Sequence, residues 1–151
     1  MPDLRTVLQH AQNNGVAVGH FNIAEFLMLK AIFESAHTLK VPVIIGVSEG
    51  ERKFVGVRQA SALVRSLREE FDFPIFLNAD HTHSLESAIE AAEAGYDAIV
   101  FDLSALPIDD NIRQTQAAIK KLKAINPAIL IEGEIGDIGT GRRFTTRLPI
   151  C

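Results

Sequence analysis

Cysteine is almost absent from this chain of 151 residues: its one copy, Cys151, is the final residue. No internal disulfide can form, and a zinc site built from thiolates is excluded. A basic surplus is missing too. With 15 Lys and Arg against 19 Asp and Glu the formal net charge is -4, and no basic patch interleaved with aromatics appears, which argues against nucleic acid or a membrane surface as partner. No apolar run approaches the roughly 20 residues that span a bilayer. The N-terminus lacks the basic-then-apolar order of a secretory signal, so the expected location is the cytoplasm. The Lys-Ser/Thr pair that would complete a phosphate-binding P-loop around Glu132–Gly139 is also absent.

What is present is an ordinary globular composition, 47% hydrophobic and 23% charged, long enough for one domain with a core of its own. Apolar runs rich in Val and Ile begin near Val16, Pro42, Pro74, Ala98 and Ala128, and each but the last is followed by helical periodicity. That alternation predicts a parallel α/β fold. Val57, Ala60, Val64, Leu67 and Phe71 gather on one face of a helix that covers the sheet. Ser84 caps the next helix and Gly95 ends it; Asp109 and Asp110 open another that stops at Asn126-Pro127. The repeat of roughly 25 to 32 residues is one-eighth of a barrel of about 250, so the fold class expected is α/β, an incomplete (β/α)8 TIM barrel of about five units.

Polar residues gather where the strands end: His20 and Asn22, Ser48, Asn78 and Asp80, Asp102 and Ser104, and Glu132 and Glu134. In α/β barrels the C-terminal strand edge is where active sites form. The run Asn78-Ala79-Asp80-His81-Thr82-His83 is the densest. Buried charge is costly unless paired or metal-bound, so this is site chemistry more than packing. Strand alternation puts Asp80 and His81 on opposite faces, and both reach the site only if the strand breaks there, which Thr82 and the cap at Ser84 permit. Carboxylates beside an imidazole suit zinc or another divalent cation. Asn22 is a candidate substrate contact, and Ser48 could bind a phosphate through its hydroxyl and backbone, although serine is also common in turns. His20 is expected to be structural, His83 exposed, and His10 and His37 surface residues of helices.

These segments resemble the class II, metal-dependent fructose-bisphosphate aldolase family, which includes tagatose-bisphosphate aldolases. The resemblance is carried, in order, by His20-Phe21-Asn22-Ile23, Pro42 to Gly50, Asn78-Ala79-Asp80-His81, Phe101-Asp102-Leu103-Ser104 and Glu132-Gly133-Glu134-Ile135-Gly136. It covers 1–140 as the N-terminal portion of a barrel, leaving 141–151 as a tail that does not match. It implies reversible cleavage of a ketose bisphosphate to dihydroxyacetone phosphate and an aldehyde, within glycolytic carbohydrate metabolism, with Asp80 as acid/base and His81 as a zinc ligand. Asp102 and Glu134 are similar to carboxylates that hold a second or alternative metal position. A phosphorylated ketose or triose would be the substrate, and the full-length family is homo-oligomeric. Two further zinc-binding histidines and a glycine-rich phosphate site, which the family draws from later strands, do not occur here. The expectation is therefore a truncated aldolase, inactive alone and inclined to self-associate at its first and fifth strands. Two other readings are a metal-dependent hydrolase barrel, which needs both His81 and His83, and a non-catalytic fragment that acts by binding.

Overall fold

The computed structural model describes residues 1–136; the tail expected at 141–151 lies outside them. Five parallel strands stand in sequential order: β1 (Gly19–Asn22), β2 (Val43–Ser48), β3 (Ile75–Thr82), β4 (Ala98–Phe101) and β5 (Leu130–Gly133). Helix α1 (Leu4–Asn13) precedes the sheet, and α2 (Phe26–Leu39), α4 (Val57–Phe71), α5 (Leu85–Glu93) and α6 (Ile108–Ile125) connect the strands, with a short α3 (Glu49–Val55) between β2 and α4. The strand-then-helix order read from the sequence is thus present, in the α/β arrangement of a barrel segment.

Local chemistry sets the boundaries. Ser84 accepts the Ser87 N–H at 3.1 Å and starts α5. Gly95, at φ 88°, lets the chain turn back into β4, a backbone conformation costly for residues with a Cβ. Asp109 and Asp110 lie in the first turn of α6, where acidic groups favour the helix dipole, and Asn126 closes it. Ser48, a candidate phosphate contact, opens α3 through a capping box, its hydroxyl accepting from Glu51 N–H and the Glu51 carboxylate accepting from Ser48 N–H at 2.6 Å. The Ser-x-x-Glu spacing that specifies this box is legible in the sequence.

The two faces of the sheet differ. Outward residues Val43, Ile45, Val47, Ile75, Leu77 and Ile99 are buried against Leu29, Phe33, Val64, Ala88 and Leu122 of the helices. The inward face carries a smaller cluster in which Phe76 meets Leu4 and Val7 of α1, with Ile44 and Leu130 packed beside it. Above that plug the inward face turns polar. β1 is exposed along its whole length and β5 at its end, whereas β2 to β4 are largely buried.

Candidate metal centre and catalytic rim

The last turn of β3 breaks the alternation that would have separated Asp80 from His81. Ala79 pairs with Ile99 and Thr82 with Phe101, so two residues of β3 face one of β4 across a register shift. His81 sits at φ 39°, in the left-handed region. A bulge of this kind re-aims side chains next to a functional rim. The break expected at this point is therefore real, and it brings both residues to the same rim.

Asp80 is held from the first strand: its Oδ2 accepts a hydrogen bond from Asn22 Nδ2 at 2.8 Å. The same amide nitrogen lies 3.5 Å from Glu51 Oε2. Gly46, paired with Asn22 on one side and Asn78 on the other, makes room for this contact, because a Cβ there would come within 2.2 Å of Asn22 Oδ1 and 2.7 Å of His20 Nε2. Asn22 thus touches the acid/base candidate itself. Ser48, paired with Asp80 in the sheet, has hydroxyl and N–H engaged by Glu51. His20 Nε2 lies 3.2 Å from Asn78 Nδ2 and faces the same interior.

His81, Asp102 and Glu134 converge from the ends of three successive strands. His81 Nδ1 is 2.9 Å from Asp102 Oδ2 and 3.3 Å from Glu134 Oε2, and one donor atom from each of the three lies within 4.8 Å of the others. An ion with ligands at about 2.0–2.1 Å in tetrahedral array separates its donors by about 3.3–3.4 Å. The two separations from His81 Nδ1 would change by at most a few tenths of an ångström, and with the third donor pair inside 4.8 Å the type and spacing of the set fit a divalent cation. Asp102 is nearly buried. Burial pushes its carboxyl upward, but hydrogen bonds from Ser104 N–H, at 3.0 Å, and from His81 outweigh that and hold it at about 2. Through the same contact Asp102 raises the His81 pKa against the opposing effect of burial, with Asp80 and Glu134 adding to the rise.

His83 stands outside this set of three. Its side chain is 56% exposed, its Nδ1 is 3.2 Å from the Asp102 carbonyl oxygen, and its ring stacks near that of His81 at 6.3 Å between centroids. Glu132 is exposed on the wall of an open cavity of about 930 Å³ that Asp80, His81 and Glu134 also line. Three residues that shape the rim carry no polar strand-end pattern: Gly46, Glu51, and Asn111 of α6, whose buried amide donates to the Glu134 carbonyl oxygen at 2.8 Å. Of these, only Glu51 had a motif to reveal it.

Among the described residues no helix is long and apolar enough to cross a membrane. A family model for class II fructose-bisphosphate aldolase matches residues 2–147. The chain is similar to the fructose-bisphosphate aldolase of Streptococcus pneumoniae serotype 4, 36% identical over 135 residues covering 87% of this chain and 45% of the relative. A probable fructose-bisphosphate aldolase of Bacillus subtilis is 34% identical over 136 residues, covering 88% and 47%. Among solved structures, the YdjI aldolase of Escherichia coli K12 superimposes with a TM-score of 0.81 at 27% identity, over 95% of this chain and 54% of that one. The fructose-bisphosphate aldolase of Campylobacter jejuni shares the fold, with a TM-score of 0.78 at 22% identity over 90% and 46%. The chain spans about half the length of the curated relatives it matches.

Proposed function

This chain belongs to the class II fructose-bisphosphate aldolase family, and from that premise we propose that its rim is the acid/base and zinc-binding half of a ketose-bisphosphate aldolase site. The observation that carries the reading is the convergence of His81, Asp102 and Glu134 within 4.8 Å, with Asp80 next to His81 and oriented separately by Asn22. His81, Asp102 and Glu134 would hold the ion, zinc before other divalent cations because an imidazole shares the site with the carboxylates. Bound there, it would act as a Lewis acid that offsets negative charge developing on a substrate carbonyl oxygen, with no need of a Schiff-base lysine.

The remaining chemistry belongs to the protein. Cleavage between C3 and C4 of a ketose bisphosphate needs a base to take the proton of the C4 hydroxyl as that carbon becomes an aldehyde; condensation returns it. Asp80 has the required carboxyl group, at the cavity wall, with one oxygen fixed by Asn22 so that its orientation is set before substrate arrives. Asp102 keeps its charge to about pH 2, and before an ion takes its place the contact with Nδ1 fixes the orientation of the His81 ring. The substrate is a phosphorylated ketose or triose and the setting cytoplasmic. Because relatives are about twice as long, these 151 residues by themselves are expected to bind the ion without substantial turnover.

Titration calorimetry with zinc, alongside a coupled assay for dihydroxyacetone phosphate release, tests this. We expect one site that is lost in His81→Ala and weakened in Asp102→Asn and Glu134→Gln. Binding that survives His81→Ala unchanged would refute the assignment, and substantial turnover by the unaltered chain would refute the expectation that it is inactive alone.

A further inference from the structure

Arg52 is the fourth residue of α3 and the most deeply buried cation of the described chain, 4% exposed. Among the described residues it makes no ion pair. Its guanidinium donates instead to the Val47 carbonyl oxygen of β2, to the Asp80 carbonyl oxygen at 3.3 Å and to Thr82 Oγ1 at 3.0 Å. Burial lowers its pKa, yet a guanidinium remains charged throughout the working range. An unpaired buried charge is tolerated only where oxygen acceptors surround it, and here all three belong to the two strand ends that form the rim.

The position of those acceptors is informative. Asp80 and Thr82 flank His81, the residue with φ 39° inside the register shift. Left-handed backbone at a non-glycine residue is strained, and it persists only where the surroundings over-determine it. Thr82 Oγ1 also reaches the Ala79 carbonyl oxygen at 3.2 Å, and the Thr82 carbonyl oxygen accepts the Asp102 N–H at 2.9 Å. Arg52 therefore connects the chain on either side of His81 to β2 and, through Thr82, to the residue that orients the His81 ring.

We propose that Arg52 is a positioning residue: its forked guanidinium, gripping Asp80 and Thr82 from behind the sheet, fixes the bulge that turns His81 toward Asp102 and Glu134 while leaving Asp80 facing the cavity. Its role in metal binding rests on the reading of His81 as a ligand. Its hold on the bulge does not. The planar fork matters, because a lysine ammonium at this site could not serve acceptors on two strands in one geometry.

Residue-resolved amide hydrogen exchange on the metal-free chain, followed by zinc titration, tests the proposal in Arg52→Met, Arg52→Lys and Thr82→Val. Arg52→Met is expected to speed exchange at the Asp102 amide by about tenfold while the Asp97 amide, bonded to Leu77 at the far end of β3, changes little, since local opening is separable from global unfolding. Zinc affinity should fall about 10- to 100-fold, the usual effect of losing a residue that orients a metal ligand, with partial recovery in Arg52→Lys. Should Arg52→Met fail to fold, Thr82→Val must show the same local pattern in weaker form. Exchange that rises evenly along β3, or not at all at Asp102, would overturn the proposal. Unchanged zinc affinity beside a local exchange effect would overturn its metal-binding part. Failure of the unaltered chain to bind zinc would sink the aldolase-site reading, while the exchange result still decides the positioning role.

Discussion

Adding a single methyl group at Gly46 should disconnect Asn22 from Asp80. Gly46 lies inside β2, where glycine is intrinsically unfavourable, so Gly46→Ala gains about 0.4–1 kcal/mol from a less flexible unfolded chain. Against that gain, the new Cβ would meet Asn22 Oδ1 at 2.2 Å and His20 Nε2 at 2.7 Å. Both are ends of exposed side chains, so they can rotate away, but Asn22 cannot do so and keep its 2.8 Å bond to Asp80. Losing that bond costs about 0.5–1.5 kcal/mol, and an off-rotamer side chain adds about 0.5–1.5 kcal/mol. The net expectation is a destabilisation centred on ~1.3 kcal/mol, within a range of about 0–2.6 kcal/mol, measured by urea unfolding. A cycle isolates the cause: in the His20→Ala/Asn22→Ala background the clash is gone, and Gly46→Ala should become neutral or stabilising by up to about 1 kcal/mol. An equal cost in both backgrounds would refute the view that Gly46 exists to accommodate these two side chains.

Acid should act through Asp102. Its folded pKa is lowered to about 2, so the unfolded chain binds more protons. The contribution is complete above the ordinary value near 3.9 and lost as pH falls from about 4 towards 2, so the urea midpoint should drop more steeply there than in Asp102→Asn. His81 has the opposite sign: its raised pKa gives metal-free stability that is full below about 6.5 and lost as pH climbs through the folded value, a dependence that His81→Gln should remove. The same proton must leave before an ion binds, so zinc affinity measured by calorimetry should rise by up to about tenfold per pH unit below the His81 pKa. Asn111→Ala removes the donor to the Glu134 carbonyl and the acceptor of Thr115 Oγ1, at 2.8 and 3.1 Å; unfolding should show a loss of about 1–3 kcal/mol, and zinc binding should weaken with it.

The architecture was legible because apolar runs and helix punctuation recur in each unit. Ser84, Gly95 and Asn126 end or begin helices where the sequence places them, since capping and left-handed backbone are local properties. The convergence of His81, Asp102 and Glu134 was legible as well, because parallel strands deliver their last residues to one edge. What stayed hidden is interaction that no spacing encodes. Alternation alone puts His81 on the wrong face; a break before Ser84 was legible, but its form, the two-against-one pairing with β4, is set by the sheet. Arg52 and Asn111 look like ordinary polar helix residues, and their burial depends on where the helices dock. Ser48 shows one residue type serving local structure: the hydroxyl weighed as a phosphate contact or a turn serine caps a helix with a glutamate three residues away.

Carboxylates at the two edges of the sheet differ in how completely they are used. Asp97, at the lower edge, accepts from Arg68 and from the Leu77 N–H at 2.7 Å, and the Arg68 guanidinium lies over the Phe76 ring at 5.4 Å. That aspartate's hydrogen bonds are spent within the fold, tying α4 to β3 and β4. At the upper edge, Asp80 accepts from the single amide of Asn22 among the described residues, and Glu134 approaches the one nitrogen of His81. Both face the open cavity. An ionised carboxylate offers about four acceptor positions; Asp97 commits two to structure, both on Oδ2, whereas the Asp80 carboxylate commits one. Burial does not separate the two kinds, because Asp102 is the most buried of them and yet orients His81. The distinction lies in whether a carboxylate's remaining lone pairs can meet something that is not part of the chain, and on that criterion the chemistry sits at the C-terminal edge, on the inward face above the Phe76 plug.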